Sequence, residues 1–219
     1  MSFGLSAVVL LVTGREEGSQ VRRASLVVVQ GMFFALFLLH PDTYAILIVT
    51  MYALYNVTDG IHAVSSSSSP SASWVFGATP FSGKQMVRGM EIAILLRNSL
   101  LPGLLVSICL YYEYEPLLAT AILLTFIVYA RSLISLALAL RPRLPLSREM
   151  TGRQEFAGFM YSVLGNMAFA VVFVSIVGIS RLSSFLGLCA AVSAVVILVV
   201  ASWLISIWAG RRMSLVEGC

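Results

Sequence analysis

Long apolar runs restrict this chain to one kind of fold. Hydrophobic residues make up 59% of its 219 residues and charged residues only 11%, whereas roughly 25% of the residues of a soluble domain are charged. Such a chain cannot cover a water-facing surface. A helix crosses a membrane with about 20 mostly apolar residues, and several runs approach this length. The sequence therefore predicts an all-α, polytopic integral membrane protein.

Six apolar segments are long enough, or nearly so, to span a membrane as helices. Turn residues separate them, for example His40-Pro41-Asp42 after the first segment and Pro116 before the fourth. The predicted spans cover residues 24–39, 43–64, 92–112, 117–140, 156–179 and 183–209. We expect one six-helix transmembrane domain over residues 24–212, between a cytoplasmic or interfacial segment (1–23) and a cytoplasmic tail (213–219).

The longest polar interruption, Ser73–Glu91, carries helix-start chemistry ahead of the third span. Ser82 and Gln85 fit a capping box, in which each side chain satisfies a free backbone N–H of the first turn. After them, charged side chains share one helical face and apolar side chains the opposite face. These two sets are Lys84, Arg88 and Glu91, and Val87, Met90 and Ile94. The pattern predicts a cytoplasmic amphipathic helix at the membrane surface, although a plain loop with a capped helix start has the same local signals.

The basic residues predict how the spans are oriented. Of the 14 Lys and Arg residues, Arg97 and Arg131 fall inside spans. If the residues before the first span lie in the cytoplasm, eleven others face the cytoplasm and only Arg181 faces outward. The acidic residues on the outer side are Asp42, Glu113 and Glu115. Cytoplasmic segments carry the excess of Lys and Arg, so we expect both termini in the cytoplasm and no nucleic-acid partner for the net charge of +4.

Three ionisable side chains and one amide are candidates for an intramembrane polar site or a translocation path. A charge at the membrane centre costs at least about 2.5–3.5 kcal/mol and normally faces a partner or a wet cavity. Asp59 and Arg97 lie at similar predicted depths, so we expect them to pair unless Arg97 snorkels to the headgroups. Arg131 has no acidic residue at its predicted depth, so we expect backbone carbonyls, Asn166 or water around it.

Catalytic and metal-binding motifs are weak in this chain. Asp59-Gly60 begins like the D-G-x2-A-R pattern of phospholipid-head-group transferases, but the arginine and the second aspartate pair are missing. The three cysteines have no spacing typical of a disulfide framework or a metal site. We therefore expect no cofactor or metal in this chain. A membrane-embedded enzyme that uses Asp59, His62 and Glu91 remains an alternative function.

Small residues recur at every fourth position in the last span. Side chains of this size let two helices approach closely, where van der Waals contact holds them together. The two sets are Ser183, Gly187 and Ala191, and Ser202, Ser206 and Gly210. We expect the sixth span to pack tightly on a neighbour, either in this chain or in a second copy.

Several short motifs lie around the third and fifth predicted spans. They are Ala72-Ser-Trp-Val-Phe-Gly-Ala-Thr-Pro80, Arg88-Gly89, Leu100-Leu-Pro102 and Leu144-Pro-Leu-Ser-Arg-Glu149. Together with six spans, an amphipathic stretch before the third and a basic loop before the fifth, they resemble the permease part of ABC-2-type bacterial ABC exporters. The resemblance covers roughly residues 24–212.

This resemblance implies a permease subunit of the bacterial plasma (inner) membrane that exports an unidentified substrate by alternating access. A separate ATPase would bind ATP and drive the motion, and a second permease copy or another membrane subunit would be a further partner. Carried over to this sequence, Trp74, Pro80, Lys84 and Arg88 would contact the ATPase. A non-catalytic scaffold subunit of a larger membrane complex is the alternative.

Overall fold

The structure, a computed structural model, describes residues 17–65, 83–140 and 152–217. All regular secondary structure within these ranges is helical, which confirms the predicted all-α fold. In chain order the elements are α1 (Glu17–Leu39), α2 (Thr43–Ser65), α3 (Gly83–Ile94), a π-helical segment (Leu95–Ser99), α4 (Leu100–Glu113), α5 (Pro116–Leu140), α6 (Gly152–Leu182) and α7 (Ser184–Glu217).

Five helical stretches in the described residues are long and apolar enough to cross a membrane. They are Thr43–Ile61, Lys84–Glu113, Pro116–Leu140, Val163–Leu182 and Ser184–Arg212. The chain is therefore a polytopic membrane protein. The described apolar run of α1, Val28–Leu39, is shorter than a full crossing, so the sixth span remains a prediction.

Local side-chain chemistry fixes two of the helix starts. The Asp42 carboxylate accepts a hydrogen bond from the backbone N–H of Ala45 at 2.7 Å, which satisfies one of the free donors in the first turn of α2. Pro116 is the first residue of α5, a position where the missing N–H of proline leaves no helical bond unmade. Each of these starts follows a turn of only a few residues, so consecutive helices form tight hairpins.

The third span is longer than the sequence predicted. α3, the π-helical segment and α4 follow one another without a break, and the apolar stretch Lys84–Glu113 has 30 residues, which is about 45 Å of helix. The prediction began this span at residue 92 because Lys84, Arg88 and Glu91 indicated a polar boundary. Lys84 and Arg88 are indeed exposed, but Glu91 is buried inside the bundle, so nothing ends the helix there.

The apolar face of α3 packs against protein. Its four large side chains, Met86, Val87, Met90 and Ile94, are each at most 1% exposed. The capping-box residue Ser82 lies outside the described residues. Within the described chain, α3 is therefore the buried first part of the third span, and its polar face carries Lys84 and Arg88.

Two groups of contacts build the bundle. α7 packs along α5 and also against α3 and α6, while α2 packs against α1, α4, α6 and the π-helical segment. Aromatic rings fill the junction of α5 and α6, where Phe126 meets Phe169 edge to face with centroids 6.1 Å apart, and Phe169 also contacts Phe173. The outer faces of α6 and α7 present large apolar side chains such as Val171, Ile197 and Trp203, as expected where lipid replaces water.

One end of the bundle, here called the acidic end, collects the short turns. The hydroxyl groups of Thr43 and Tyr114 lie 3.3 Å apart, and Arg181 donates to the Thr43 hydroxyl at 3.3 Å. Ser184 donates to the Glu115 carboxylate at 2.9 Å. Burial raises the pKa of the Tyr114 phenol; the hydrogen bond with Thr43 and the charge of Arg181 oppose this rise, and the charge of Glu113 adds to it.

The opposite end, here called the basic end, carries exposed cations. They are Lys84, Arg88, Arg211 and Arg212. Arg212 donates to the backbone carbonyl of Ala139 at 3.1 Å and lies over the Trp208 ring, 4.8 Å from its centroid. These contacts place the C-terminal part of α7 beside the end of α5.

Candidate functional site

A single buried carboxylate joins three helices of the bundle. Glu91 of α3 is 2% exposed, and both of its oxygens accept hydrogen bonds. Ser135 of α5 and Ser206 of α7 donate to Oε1 at 2.5 and 2.8 Å. Arg131 of α5 donates from Nε to Oε2 at 3.3 Å, which also makes an ion pair. We call these four residues the Glu91 cluster.

Helical spacing brings the donors together. Arg131 and Ser135 are four residues apart on α5, so they occupy the same face one turn apart. On α7, Ser206 lies one turn before Gly210. A Cβ atom added at Gly210 would lie only 3.3 Å from the Cα atom of Lys84, so glycine at this position permits the close approach of α7 to α3. That approach brings Ser206 within reach of Glu91.

The Glu91 cluster lies well inside the membrane-spanning part of the protein. Glu91 follows Lys84 by seven residues, which is about 10 Å along the helix. An isolated carboxylate at that depth would be costly, whereas one that is paired and hydrogen-bonded is tolerated. The three donors therefore explain how an acid can stand inside a spanning helix.

The expected surroundings of Arg131 were wrong. No acidic residue was expected at its depth, but Arg131 pairs with Glu91. The physical reason is that α3 continues unbroken into the third span, so Glu91 enters the bundle. Asn166, the expected neighbour, is buried on α6, and its Oδ1 atom has no hydrogen-bond partner in the described residues. Ser135 was missed, although its four-residue spacing from Arg131 was a visible signal.

Arg131 faces outward beyond its bond to Glu91. Its side chain is 48% exposed, whereas that of Glu91 is 3% exposed. Within the described chain only its Nε atom makes a hydrogen bond. The neighbouring exposed side chains on α5 are Leu124 and Ile127, seven and four residues earlier on the same face. A charged group thus lies on the outer surface of an apolar spanning helix.

A second polar junction joins α1, α2 and the π-helical segment. The Asn56 side-chain amide donates to Gln30 at 3.1 Å, and Asn98 donates to the Asn56 backbone carbonyl at 2.9 Å. A Cβ atom added at Gly60 would lie 2.7 Å from Asn98, so α2 and the π-helical segment are in direct contact. π-Helical turns occur frequently at functional sites.

This junction also contains the two residues predicted to pair. Asp59 precedes Gly60 and is buried, and Arg97 precedes Asn98 and is partly buried. The contact of Gly60 with Asn98 brings the two chain segments together. The ion pair between Asp59 and Arg97 stays a prediction.

The other predicted site residues are distributed over the bundle and beyond the described part of the chain. Trp74 and Pro80 lie outside the described residues, and so does the side chain of His62. Lys84 and Arg88 are exposed at the basic end. The hydrogen bonds of Glu91 connect it to α5 and α7, so they do not assemble it with Asp59 of α2 as the enzyme hypothesis requires.

The small residues of α7 contact this chain's own helices. A Cβ atom added at Gly187 would overlap Ser180 of α6, and Ala191 is fully buried. Ser183 is half-buried at the turn between α6 and α7. Ser202 is buried on the same face as Ser206, and its hydroxyl has no partner among the described residues.

The chemistry available in the described residues is that of charge pairing and hydrogen bonding. Within them, no group of three or more His, Cys, Asp or Glu side chains could hold a metal ion. Cys109 is buried and Cys189 is exposed, and both are free thiols.

No protein-family model, curated protein or solved structure matches this chain.

Proposed function

We propose that this protein is the permease subunit of an ABC-type exporter, which moves its substrate by alternating access with a separate ATPase as partner. The observation that supports transport most directly is the half-exposed Arg131 on a spanning helix. A guanidinium at membrane depth is costly unless protein or water covers it. A translocation path completed by a second membrane subunit would supply that cover.

In this proposal the basic end faces the cytoplasm of a bacterium, and the protein lies in the plasma membrane with both termini inside. The exposed cations Lys84, Arg88, Arg211 and Arg212 support this orientation because Lys and Arg concentrate on the cytoplasmic side. α1 would be the first of six spans.

The Glu91 cluster suggests how motion could pass from the ATPase to the spans. Lys84 and Arg88 at the start of α3 would contact the ATPase, and Glu91 lies on the same helix only one turn beyond Arg88. Through its hydrogen bonds Glu91 is tied to α5 and α7. A displacement of α3 would therefore pull on both helices, which is what a switch between two arrangements of the spans requires.

Purification from the native cells tests this proposal. A tagged chain should bring down an ATP-hydrolysing subunit, and the double variant Lys84→Glu/Arg88→Glu should lose it because the contact charges are reversed. The matched control is Arg181→Glu, which changes a cation at the acidic end and should retain the subunit. Recovery of the wild-type chain without any ATP-hydrolysing partner would refute the permease proposal.

One observation favours a scaffold subunit as the second candidate. Only 11% of the most apolar part of Ser184–Arg212 is buried within this chain, so α7 offers a long surface to other membrane subunits. A scaffold would hold such subunits without any substrate-dependent change. Substrate-stimulated ATP hydrolysis by the purified complex would separate the permease from the scaffold.

A further inference from the structure

The Arg131 guanidinium has hydrogen-bond donors that the Glu91 cluster does not use. A guanidinium has five N–H donors, and within the described chain only Nε donates, to Glu91 at 3.3 Å. The two Nη groups make no hydrogen bond within the described chain, and the side chain is 48% exposed. We propose that they bind the anionic headgroup of an amphiphile whose acyl chain lies along α5.

The position of the guanidinium is fixed by its partner. Glu91 is held by Ser135 and Ser206 as well as by Arg131, so the carboxylate is a rigid anchor. An arginine near a helix end normally snorkels to the headgroups. Arg131 is nine residues from Leu140, about 14 Å along α5, and the bond to Glu91 holds its guanidinium at this depth. A ligand must therefore come to the arginine.

The local charge selects an anion. Arg131 and Glu91 cancel each other, but Arg88 is exposed on α3 three residues before Glu91, on the same helical face. Among Arg88, Glu91 and Arg131, the cations outnumber the carboxylate by one. Two parallel N–H bonds from a guanidinium match the geometry of a phosphate or carboxylate group.

The surface beside Arg131 suits an acyl chain. Leu124 and Ile127 are each 46% exposed on the same face of α5. Farther along, the Thr120 hydroxyl lies 2.7 Å from that of Tyr111 on α4, which joins the two helices. The stripe runs from Arg131 to Thr120, eleven residues earlier, which is about 16 Å of helix and close to half of a hydrocarbon core about 30 Å thick.

The direction of this stripe matches a lipid of the leaflet at the basic end. Its headgroup would lie at Arg131, nearer the basic end, and its tail would run along Ile127 and Leu124 toward the acidic end. The same chemistry fits a phospholipid of the bilayer and a single-chain fatty acid. Only the idea that this amphiphile is the exported substrate rests on the proposed function, because binding itself needs no ATPase.

A tryptophan placed on the stripe reports binding. The chain has three tryptophans, which are replaced by phenylalanine before Ile127→Trp is introduced. The protein is reconstituted in phosphatidylcholine nanodiscs, and quenching is measured with brominated phosphatidylglycerol, brominated oleate and brominated phosphatidylcholine. We expect the anionic probes to quench at about tenfold lower mole fraction than phosphatidylcholine, since charge-assisted hydrogen bonds add to the shared contact of the tail.

Matched variants tie the preference to the arginine. Arg131→Gln/Glu91→Gln removes both charges of the pair, so no buried carboxylate is stranded, and it should abolish the anionic preference. Arg181→Gln, at the acidic end, should keep it. Preference for phosphatidylglycerol alone or oleate alone would identify the source of the anion. Equal quenching by anionic and zwitterionic probes, or a preference that survives in the double variant, would overturn the inference without touching the proposed ATPase partner.

Discussion

The unequal burial of Glu91 and Arg131 makes a quantitative prediction about their pair. The Glu91 side chain is 3% exposed and that of Arg131 is 48% exposed. Arg131→Gln would strand a buried carboxylate, and loss of one partner of a buried pair costs about 3 kcal/mol at the low end of the measured range. We take the low end because Ser135 and Ser206 still donate to Glu91.

The reverse substitution should be milder. Glu91→Gln keeps an oxygen that accepts from the two serines, and the half-exposed Arg131 can turn toward polar surroundings. The expected loss is about 1 kcal/mol, the size of one ordinary hydrogen bond. The double variant Glu91→Gln/Arg131→Gln should lose about as much unfolding free energy as Glu91→Gln alone. The coupling energy between the two residues is then about 2–3 kcal/mol.

Unfolding in mixed detergent micelles, followed by far-UV circular dichroism as the denaturing detergent is increased, measures these differences. Ser184→Ala removes a hydroxyl at the acidic end, where it donates to Glu115 on the surface, and serves as a control with little expected effect. Equal losses for Arg131→Gln and Glu91→Gln, or an additive double variant, would show that burial of the carboxylate does not govern the pair.

Three further predictions test the orientation, the helix contact and the acidic end. Lys84→Cys should react with a membrane-impermeant maleimide only after the cells are opened, and labelling in intact cells would reverse the proposed orientation. Gly210→Val should lower the free energy of unfolding by about 1–3 kcal/mol, as overpacking does, because even a Cβ atom there would lie 3.3 Å from the Cα atom of Lys84. Wild-type stability of this variant in the same unfolding assay would disprove the tight contact. Burial raises the pKa of Tyr114, so its neutral phenol stabilises the folded protein fully below the pKa of an unfolded tyrosine, about 10. This contribution to the free energy of unfolding is lost as the pH rises through the pKa of Tyr114 in the folded protein. Tyr114→Phe should flatten this alkaline decline in stability, and an unchanged pH profile would contradict it.

The parts of the fold that the sequence predicted depend on local chemistry. The all-helical class follows from composition, and the turns at His40-Pro41-Asp42 and before Pro116 follow from proline and from the carboxylate that caps α2. Each of these signals lies within a few residues of its effect. The sequence could therefore indicate helices and turns without any knowledge of tertiary contacts.

The Glu91 cluster could not be predicted in the same way. Its donors Arg131 and Ser206 are 40 and 115 residues from Glu91 along the chain. Without them, Glu91 beside Arg88 indicates a membrane boundary, and the predicted third span accordingly began after it. The four-residue spacing of Arg131 and Ser135 was the one local signal of a polar face within α5, but it does not name the partner on the other side.

The position of the Glu91 cluster has a consequence for the proposed transport cycle. Helices in a membrane gain little from burying apolar surface, because lipid tails are as apolar as leucine. Interhelical hydrogen bonds and close contacts therefore decide which arrangement of spans is favoured. Glu91 supplies bonds to α5 and α7, and Gly210 supplies the close contact of α7 with α3. Arg131 adds a bond from α5 to Glu91 and is also 48% exposed. An anion bound to its Nη groups would compete with Glu91 for the charge of the guanidinium, which couples ligand binding to helix packing through a single side chain.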